Sequence, residues 1–275
     1  MSEIIEAIIL GIVQGLTEFL PVSSSGHIEI MKYILNDDAV AEQSMLTTVF
    51  LHFATAISTI LVFRKDIASL IHRFFKPRDK SDRHFIWFII LSMIPAVVVG
   101  LGFEDFIETF FHRQIMLVAF MLLVTGIILF LSQRVEDTTR PLTFGKAFII
   151  GIAQAIAIIP GISRSGATIG TALLLNIRRE EAARFSFLMV VPLIFGKMAK
   201  DVLSGDLMSH MPSLSYLIAG FISAMITGVL ACTFMISIVK RAKLDWFAFY
   251  CIIVGISLII SVSYTHLTLP TIYSV

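Results

Sequence analysis

What most constrains the fold of this chain is a series of apolar runs in the length range, about 17–25 residues, that lets a helix cross a bilayer. Six lie at approximately 47–63, 86–103, 115–132, 185–203, 214–239 and 245–262. Two more apolar stretches, 4–35 and 144–176, are each cut midway by proline, glycine and serine, in PVSSSGH at 21–27 and PGISRSGAT at 160–168. Such breaks are tolerated at membrane depth only where the freed backbone is buried in protein or lines a wet cavity. Both stretches therefore read as re-entrant helical hairpins. Composition agrees: 57% of the 275 residues are hydrophobic, 15% are charged and the mean hydropathy is +0.90. A soluble domain has roughly 25% charged residues, so a bilayer is the solvent for much of this surface. The expected fold class is an all-α integral membrane protein with about six transmembrane helices and two re-entrant hairpins.

The distribution of charge orients the chain. Sixteen of the 21 lysines and arginines lie at 64–83, 134–146, 178–184 and 240–243. The stretches 36–46, 104–113 and 204–213 carry Asp37, Asp38, Glu42, Glu104, Asp105, Glu108 and Asp206 but only one basic residue, Arg113. The positive-inside rule puts the first set in the cytoplasm. Threading the spans accordingly, the first hairpin enters and leaves from outside, the second from inside, and the N-terminus is outside. MSEIIEAIIL has neither the positive n-region nor the cleavage site of a signal peptide, so the spans themselves are expected to target the chain. No nucleic-acid partner is expected. Membrane lipids are, and the basic stretch 64–84 can attract anionic headgroups.

The two interrupted stretches resemble each other. Shifted by 140 residues without gaps, Gly11, Ile12 and Gln14 fall on Gly151, Ile152 and Gln154, and Ser23, Ser25 and Gly26 fall on Ser163, Ser165 and Gly166. Because the charge pattern gives the halves opposite orientation, they read as an inverted-topology repeat, about 4–132 and 144–261, within one membrane domain at 1–261. In such repeats the broken helices meet near the midplane and form the site.

Three ionisable groups sit on the hairpins: Glu18 in QGLTEFLP, His27 at the end of PVSSSGH and Arg164 in PGISRSGAT. A charge in hydrocarbon costs at least about 2.5–3.5 kcal/mol and is usually functional. The bland alternative is a simple Glu18–Arg164 staple, with His27 as a satisfied core histidine. Beside them stand Ser23, Ser24 and Ser25 on one tip, Ser163, Ser165 and Thr168 on the other, and Gly26, Gly161 and Gly166. Hydroxyls can simply cap helix ends, but six are more than capping needs. Glycine admits a ligand close to the backbone, helix starts bind anions, and arginine offers a bidentate donor for phosphate. The set reads as a phosphate cradle with a carboxylate and an imidazole for proton or metal work.

QGLTEFLPVSSSGH and PGISRSGAT, together with EAARFSFL at 181–188, resemble the signatures of the bacitracin-resistance family of undecaprenyl-diphosphate phosphatases, and the resemblance runs to about residue 261. It implies hydrolysis of the C55 isoprenyl diphosphate to the monophosphate and phosphate, on the outer side of a bacterial inner membrane. That reaction recycles the lipid carrier for peptidoglycan and other envelope polymers. It further implies a divalent cation, magnesium or calcium, with Glu18 as possible ligand. Gln14 stands where some members have a second glutamate, so a metal shared by two glutamates is not expected here. His27, Ser163, Arg164 and Thr168, with Ser23 and Ser24, match family active-site positions. Either Ser24 or His27 could attack phosphorus. We favour Ser24, with His27 as proton shuttle, Glu18 as base or metal ligand, and Arg164 holding the charge on the phosphoryl oxygens. Ser25, Gly26, Ser165 and Gly166 complete the expected phosphate-binding set.

Other features have plainer readings. Cys232 and Cys251 lie in apolar runs and are expected to be buried free thiols. Lys197 and Lys200 are expected to snorkel to the interface, and Trp87 and Trp246 to anchor cytoplasmic ends of spans. VSYTHLTLPT, from Val262 to Thr271, breaks the last apolar run and resembles a transposon sequencing adapter translated in one frame. Residues 262–275 are therefore expected to be non-native, which the sequence of the genomic locus decides. The main rival function is a secondary transporter or flippase of an anionic lipid, since inverted repeats with broken helices are common in carriers. Oligomeric state, a homodimer included, is not set by the sequence.

Topology is tested by labelling with a membrane-impermeant thiol reagent on a background lacking Cys232 and Cys251. Asp38→Cys and Asp206→Cys should react from outside, and Arg78→Cys only after permeabilisation. The reverse pattern would overturn both the orientation and the inverted repeat.

Overall fold

The computed structural model describes residues 3–35, 44–76, 81–111, 114–136, 140–204, 213–241 and 243–272. Among them every regular element is helical, and one isolated bridge joins Arg140 to Ile177. The helices are α1 (Glu3–Phe19), α2 (Ser24–Leu35), α3 (Ser44–Val62), α4 (Arg64–Phe75), α5 (Ser81–Gly102), α6 (Glu104–Glu108), α7 (Ile115–Gln133), α8 (Phe144–Ile156), α9 (Arg164–Leu174), α10 (Arg179–Ser204), α11 (Leu214–Lys240) and α12 (Asp245–Ile272).

Among the described residues five helices are long and apolar enough to cross a membrane: Arg83–Gly102, Ile115–Gln133, Arg179–Lys200, Leu214–Lys240 and Asp245–Tyr264. The chain is thus a multi-pass membrane protein. Their outward faces carry large apolar side chains, such as Val98, Leu230 and Ile253, that only lipid can cover. The run expected as a span at 47–63 belongs to α3, whose apolar part Val49–Val62 is shorter than a full crossing. Both interrupted stretches are pairs of helices, α1 with α2 and α8 with α9, broken at 20–23 and 157–163. The basic stretch after α3 is itself largely helical, as the amphipathic α4, with Asp66 in its first turn where the helix dipole favours a carboxylate. α12 continues through Ile272, beyond residue 262.

Small residues set how these helices pack. Ala7, Gly11 and Gly15 recur every fourth position on α1, and Gly220, Ala224 and Gly228 do so on α11. A Cβ at Gly11 would lie 2.4 Å from the Gly220 carbonyl oxygen, and one at Gly15 would lie 2.6 Å from that of Ala224. The backbones touch, as in small-xxx-small packing, where van der Waals contact replaces the hydrophobic drive that lipid removes. Gly151 of α8 meets α5 the same way, 2.4 Å from the Ser92 carbonyl. α1 packs on α11 and α8 on α5; α3 packs on α11 and α10 on α5; α7 packs on α12 and α3 on α10.

This contact is testable. Gly15→Ala should lower stability by about 1–3 kcal/mol in detergent, the range for forcing volume into a packed seam. Gly145→Ala, where nothing lies within 4 Å, should leave thermal unfolding unchanged.

Candidate active site

The two helix breaks meet, and side chains from across the interface and from neighbouring helices satisfy the backbone they free. The Ser165 hydroxyl donates to the Leu20 carbonyl at 3.2 Å, and the Cys251 thiol donates to that of Pro21 at 3.6 Å. In the second break the Thr125 hydroxyl donates to the Gly161 carbonyl at 3.1 Å and accepts from the Ser163 N–H at 3.0 Å. Gly161 has φ +97° and lies where a Cβ would be 2.5 Å from the Val118 carbonyl, so only glycine fits. The tips also touch reciprocally: a Cβ on Gly26 would meet the Gly161 backbone, and one on Gly166 would meet Pro21.

Two of the six expected hydroxyls are caps. Ser23 Oγ accepts from the Gly26 N–H at 3.2 Å, and Ser163 Oγ accepts from the Gly166 N–H at 3.1 Å. Their equivalence under the 140-residue shift is thereby structural, and each also faces the serine two residues on, Ser25 and Ser165. Ser23 adopts φ +71°, a left-handed conformation costly for a residue with a Cβ. The turn aims the Ser23 carbonyl at His27, whose Nδ1 lies 2.8 Å away. A carbonyl only accepts, so Nδ1 carries the proton; in the neutral ring Nε2 then accepts from the Tyr250 hydroxyl at 2.7 Å.

Glu18 and Arg164 form an ion pair between Oε1 and Nη2. The other carboxylate oxygen, Oε2, accepts from Gln14 Nε2 at 3.0 Å and from the Ser24 hydroxyl at 2.9 Å. Glu18 lies in the last turn of α1 and Arg164 opens α9, so each charge stands at the helix end whose dipole disfavours it. The pair offsets that penalty, and an anion at the start of α9 would offset it for Arg164 as well. Glu18, Arg164 and Ser165 line a small pocket with Phe19, Thr55, Thr59, Ser186, Phe187, Val190 and Ile194. The lining combines the ion pair and the hydroxyls of Thr55, Thr59, Ser165 and Ser186 with the apolar side chains of Phe19, Phe187, Val190 and Ile194.

The structure brings Glu18, Ser24 and Arg164 into direct contact, with Gln14 behind them. Thr168, one turn after Arg164 on α9, bonds Ser186 of the same pocket lining at 2.5 Å. His27 faces Tyr250 on α12 rather than the cavity that Glu18 and Arg164 line. Sequence reasoning missed Tyr250 and Thr125, which carry no signal inside apolar runs, and Ser186, although it stands in EAARFSFL. It also missed His52, whose Nε2 lies 3.6 Å from Glu18 Oε2; a histidine amid VFLHFATA could have flagged it. Cys232 and Cys251 are free and buried, as expected. Lys200 pairs with Glu104, the Lys197 side chain lies outside the described residues, and Trp87 and Trp246 are exposed.

Residues 7–257 match the family described as "Bacitracin resistance protein BacA". This chain belongs to that family. A protein from Christiangramia forsetii named "Undecaprenyl-diphosphatase" is 55% identical over 258 residues, covering 94% of this chain and 98% of that relative. Proteins of the same name from Bacteroides thetaiotaomicron and Methanobrevibacter smithii are 42% and 39% identical, covering 94% and 96% of this chain and 98% and 99% of their own lengths. The matched residues include both helix breaks and every residue of the site above.

Removing one partner of a buried ion pair leaves an uncompensated charge, which costs about 3–5 kcal/mol. Arg164→Leu should destabilise the protein in that range in chemical unfolding. Adding Glu18→Gln to it should restore most of the loss, because no buried charge then remains.

Proposed function

We propose that the chain hydrolyses undecaprenyl diphosphate to undecaprenyl phosphate and phosphate in the bacterial plasma membrane, recycling the carrier lipid for cell-wall synthesis and conferring bacitracin resistance. The observation that carries this reading is one carboxylate shared between an arginine and a serine from opposite helix breaks. Arg164 holds Glu18 Oε1, while Ser24 donates to Oε2 at 2.9 Å. A carrier that only grips a headgroup has no use for a hydroxyl whose proton already points at a base.

In this reading the terminal phosphate enters the cavity at the start of α9, where Arg164 and the helix dipole neutralise its charge. Ser24 Oγ attacks the terminal phosphorus as its proton passes to Glu18 Oε2. The bridging P–O bond breaks, and undecaprenyl phosphate leaves. Water then cleaves the phosphoserine, releasing phosphate and returning the proton to Ser24. Arg164 holds the charge on the equatorial oxygens through both steps. His27 keeps the Ser23 turn in place, and as proton shuttle for the attacking water it would exchange Tyr250 for that water at Nε2. Phe19, Phe187, Val190 and Ile194 offer apolar side chains to the first isoprene unit.

The donors present suit a hard cation. Gln14 Oε1 is buried without a hydrogen-bond partner, beside the Glu18 carboxylate, and magnesium or calcium takes oxygen ligands, often a single carboxylate plus substrate phosphates. Bound between Glu18, Gln14 and the diphosphate, such an ion would neutralise charge that otherwise repels the carboxylate from the substrate. Among the described residues no cluster of three or more His, Cys, Asp or Glu side chains exists, so the substrate would complete the coordination.

The helix breaks are further read as re-entrant hairpins of an inverted repeat, opening the site to the outer side. Support comes from the paired packing of α1 on α11 with α8 on α5, and of α3 on α11 with α10 on α5. Shifted by 140 residues, Ser24 falls on Arg164 and Glu18 on Ile158, so one repeat supplies base and nucleophile and the other the cation.

Phosphate release from undecaprenyl diphosphate by the purified protein in detergent tests this. The parent should turn over and lose activity with chelator. Arg164→Lys should fall by about 100-fold or more, since the fork is lost. Glu18→Gln should be inactive even in excess magnesium or calcium, yet still bind substrate. No release by the parent would revive the carrier; full hydrolysis by Glu18→Gln would remove Glu18 from the chemistry; chelator without effect would remove the cation.

A further inference from the structure

One imidazole outside the machinery described so far borders it. His52 lies on α3, a helix that supplies neither helix break, and its Nε2 is 3.6 Å from Glu18 Oε2. That helix is held in register. The Thr55 hydroxyl donates to the His52 carbonyl at 2.8 Å, the Ser58 hydroxyl donates to the Met225 carbonyl of α11 at 2.9 Å, and Leu51 and Ala54 pack on Ala224. Thr55 and Thr59, at i+3 and i+7 from His52, line the cavity that Glu18 and Arg164 share, so this face of α3 looks onto the site.

The partners of Glu18 are not equivalent. Gln14 comes from α1 itself and moves with it, and Ser24 must leave Oε2 when it attacks phosphorus. Arg164 holds the other oxygen and is drawn toward the incoming phosphate. What remains to keep Oε2 turned toward the serine, from a helix that takes no part in the reaction, is His52. We propose that His52 is a positioning residue for the hydrolysis: an N–H donor on α3 that fixes the orientation of the Glu18 carboxylate. This rests on the reading of Glu18 as the base for Ser24. At 3.6 Å the contact is longer than a formed hydrogen bond, and it shortens into one as Ser24 departs.

The test uses the full chain in detergent with three variants and two readouts. His52→Leu removes the donor, His52→Ala does so if leucine disturbs folding, and His52→Gln places an amide N–H at similar reach without a titrating ring. One readout is kcat and KM for phosphate release. The other is the infrared band of the Glu18 carboxylate, isolated as the difference between parent and Glu18→Gln. His52→Leu should lower kcat by about 10- to 100-fold, the effect of a slightly misplaced catalytic group. KM should stay within about twofold, as no substrate contact is lost, and the Glu18 band should shift. His52→Gln should recover most of kcat and return the band. Parent-like kcat with an unshifted band in His52→Leu overturns the proposal. So does His52→Gln behaving no better than His52→Leu, which would assign the loss to packing. If the parent released no phosphate, the functional reading would fail while the infrared band still decided His52: a shift upholds the contact, and none refutes it.

Discussion

Everything in the centre of this protein depends on one buried ion pair. Glu18 ends the first broken helix and Arg164 begins the other's second half, 146 residues later in the chain. Neither charge is tenable alone in an apolar interior, and neither is helped by its own helix dipole. Joined, they pull two helix breaks together and leave one carboxylate oxygen for chemistry. The residue that staples the two breaks is thus also the one that accepts from Ser24.

Bringing two breaks together raises a second physical problem, the unpaired backbone at membrane depth. The structure solves it with side chains from neighbouring helices. Thr125 of α7 serves the second break from both sides, Ser165 serves the first from across the interface, and Cys251 of α12 covers Pro21. Such donors reach only because the tips are stripped to glycine where they touch, at Gly26, Gly161 and Gly166, and because Gly11, Gly15 and Gly151 let the flanking helices lie backbone to backbone. Rigidity follows, and with it a cavity shaped by residues that cannot easily move.

Serine had two readings before the fold was in view, and the structure separates the residues by their contacts. Ser23 and Ser163 are helix caps, whereas Ser24 is turned onto Glu18. Residue type alone does not tell the middle one of three serines from its neighbours, and it is the family resemblance that favours Ser24. Direction comes from the left-handed φ of Ser23, which puts Ser24 at the first position of α2 on the side of α1. His27, read beside Ser24 in the chain, is turned by the same bend toward Tyr250.

By itself the sequence determined the helical class, the location of both breaks and the singling out of Glu18 and Arg164, whose pairing it offered only as the plainer alternative. Apolar length, glycine–proline interruptions and rare intramembrane charges are local signals with one physical meaning each. Only the tertiary structure decided which hydroxyl faces the carboxylate, that Tyr250 covers the imidazole of His27, and that His52 stands against Glu18. Those are contacts between helices far apart in the chain, whose rotation about their own axes is set by small-residue seams such as Gly15 against Ala224. In a membrane the apolar faces of a helix look alike in sequence, because lipid and protein core accept the same side chains, so the facing of each helix emerges only on packing.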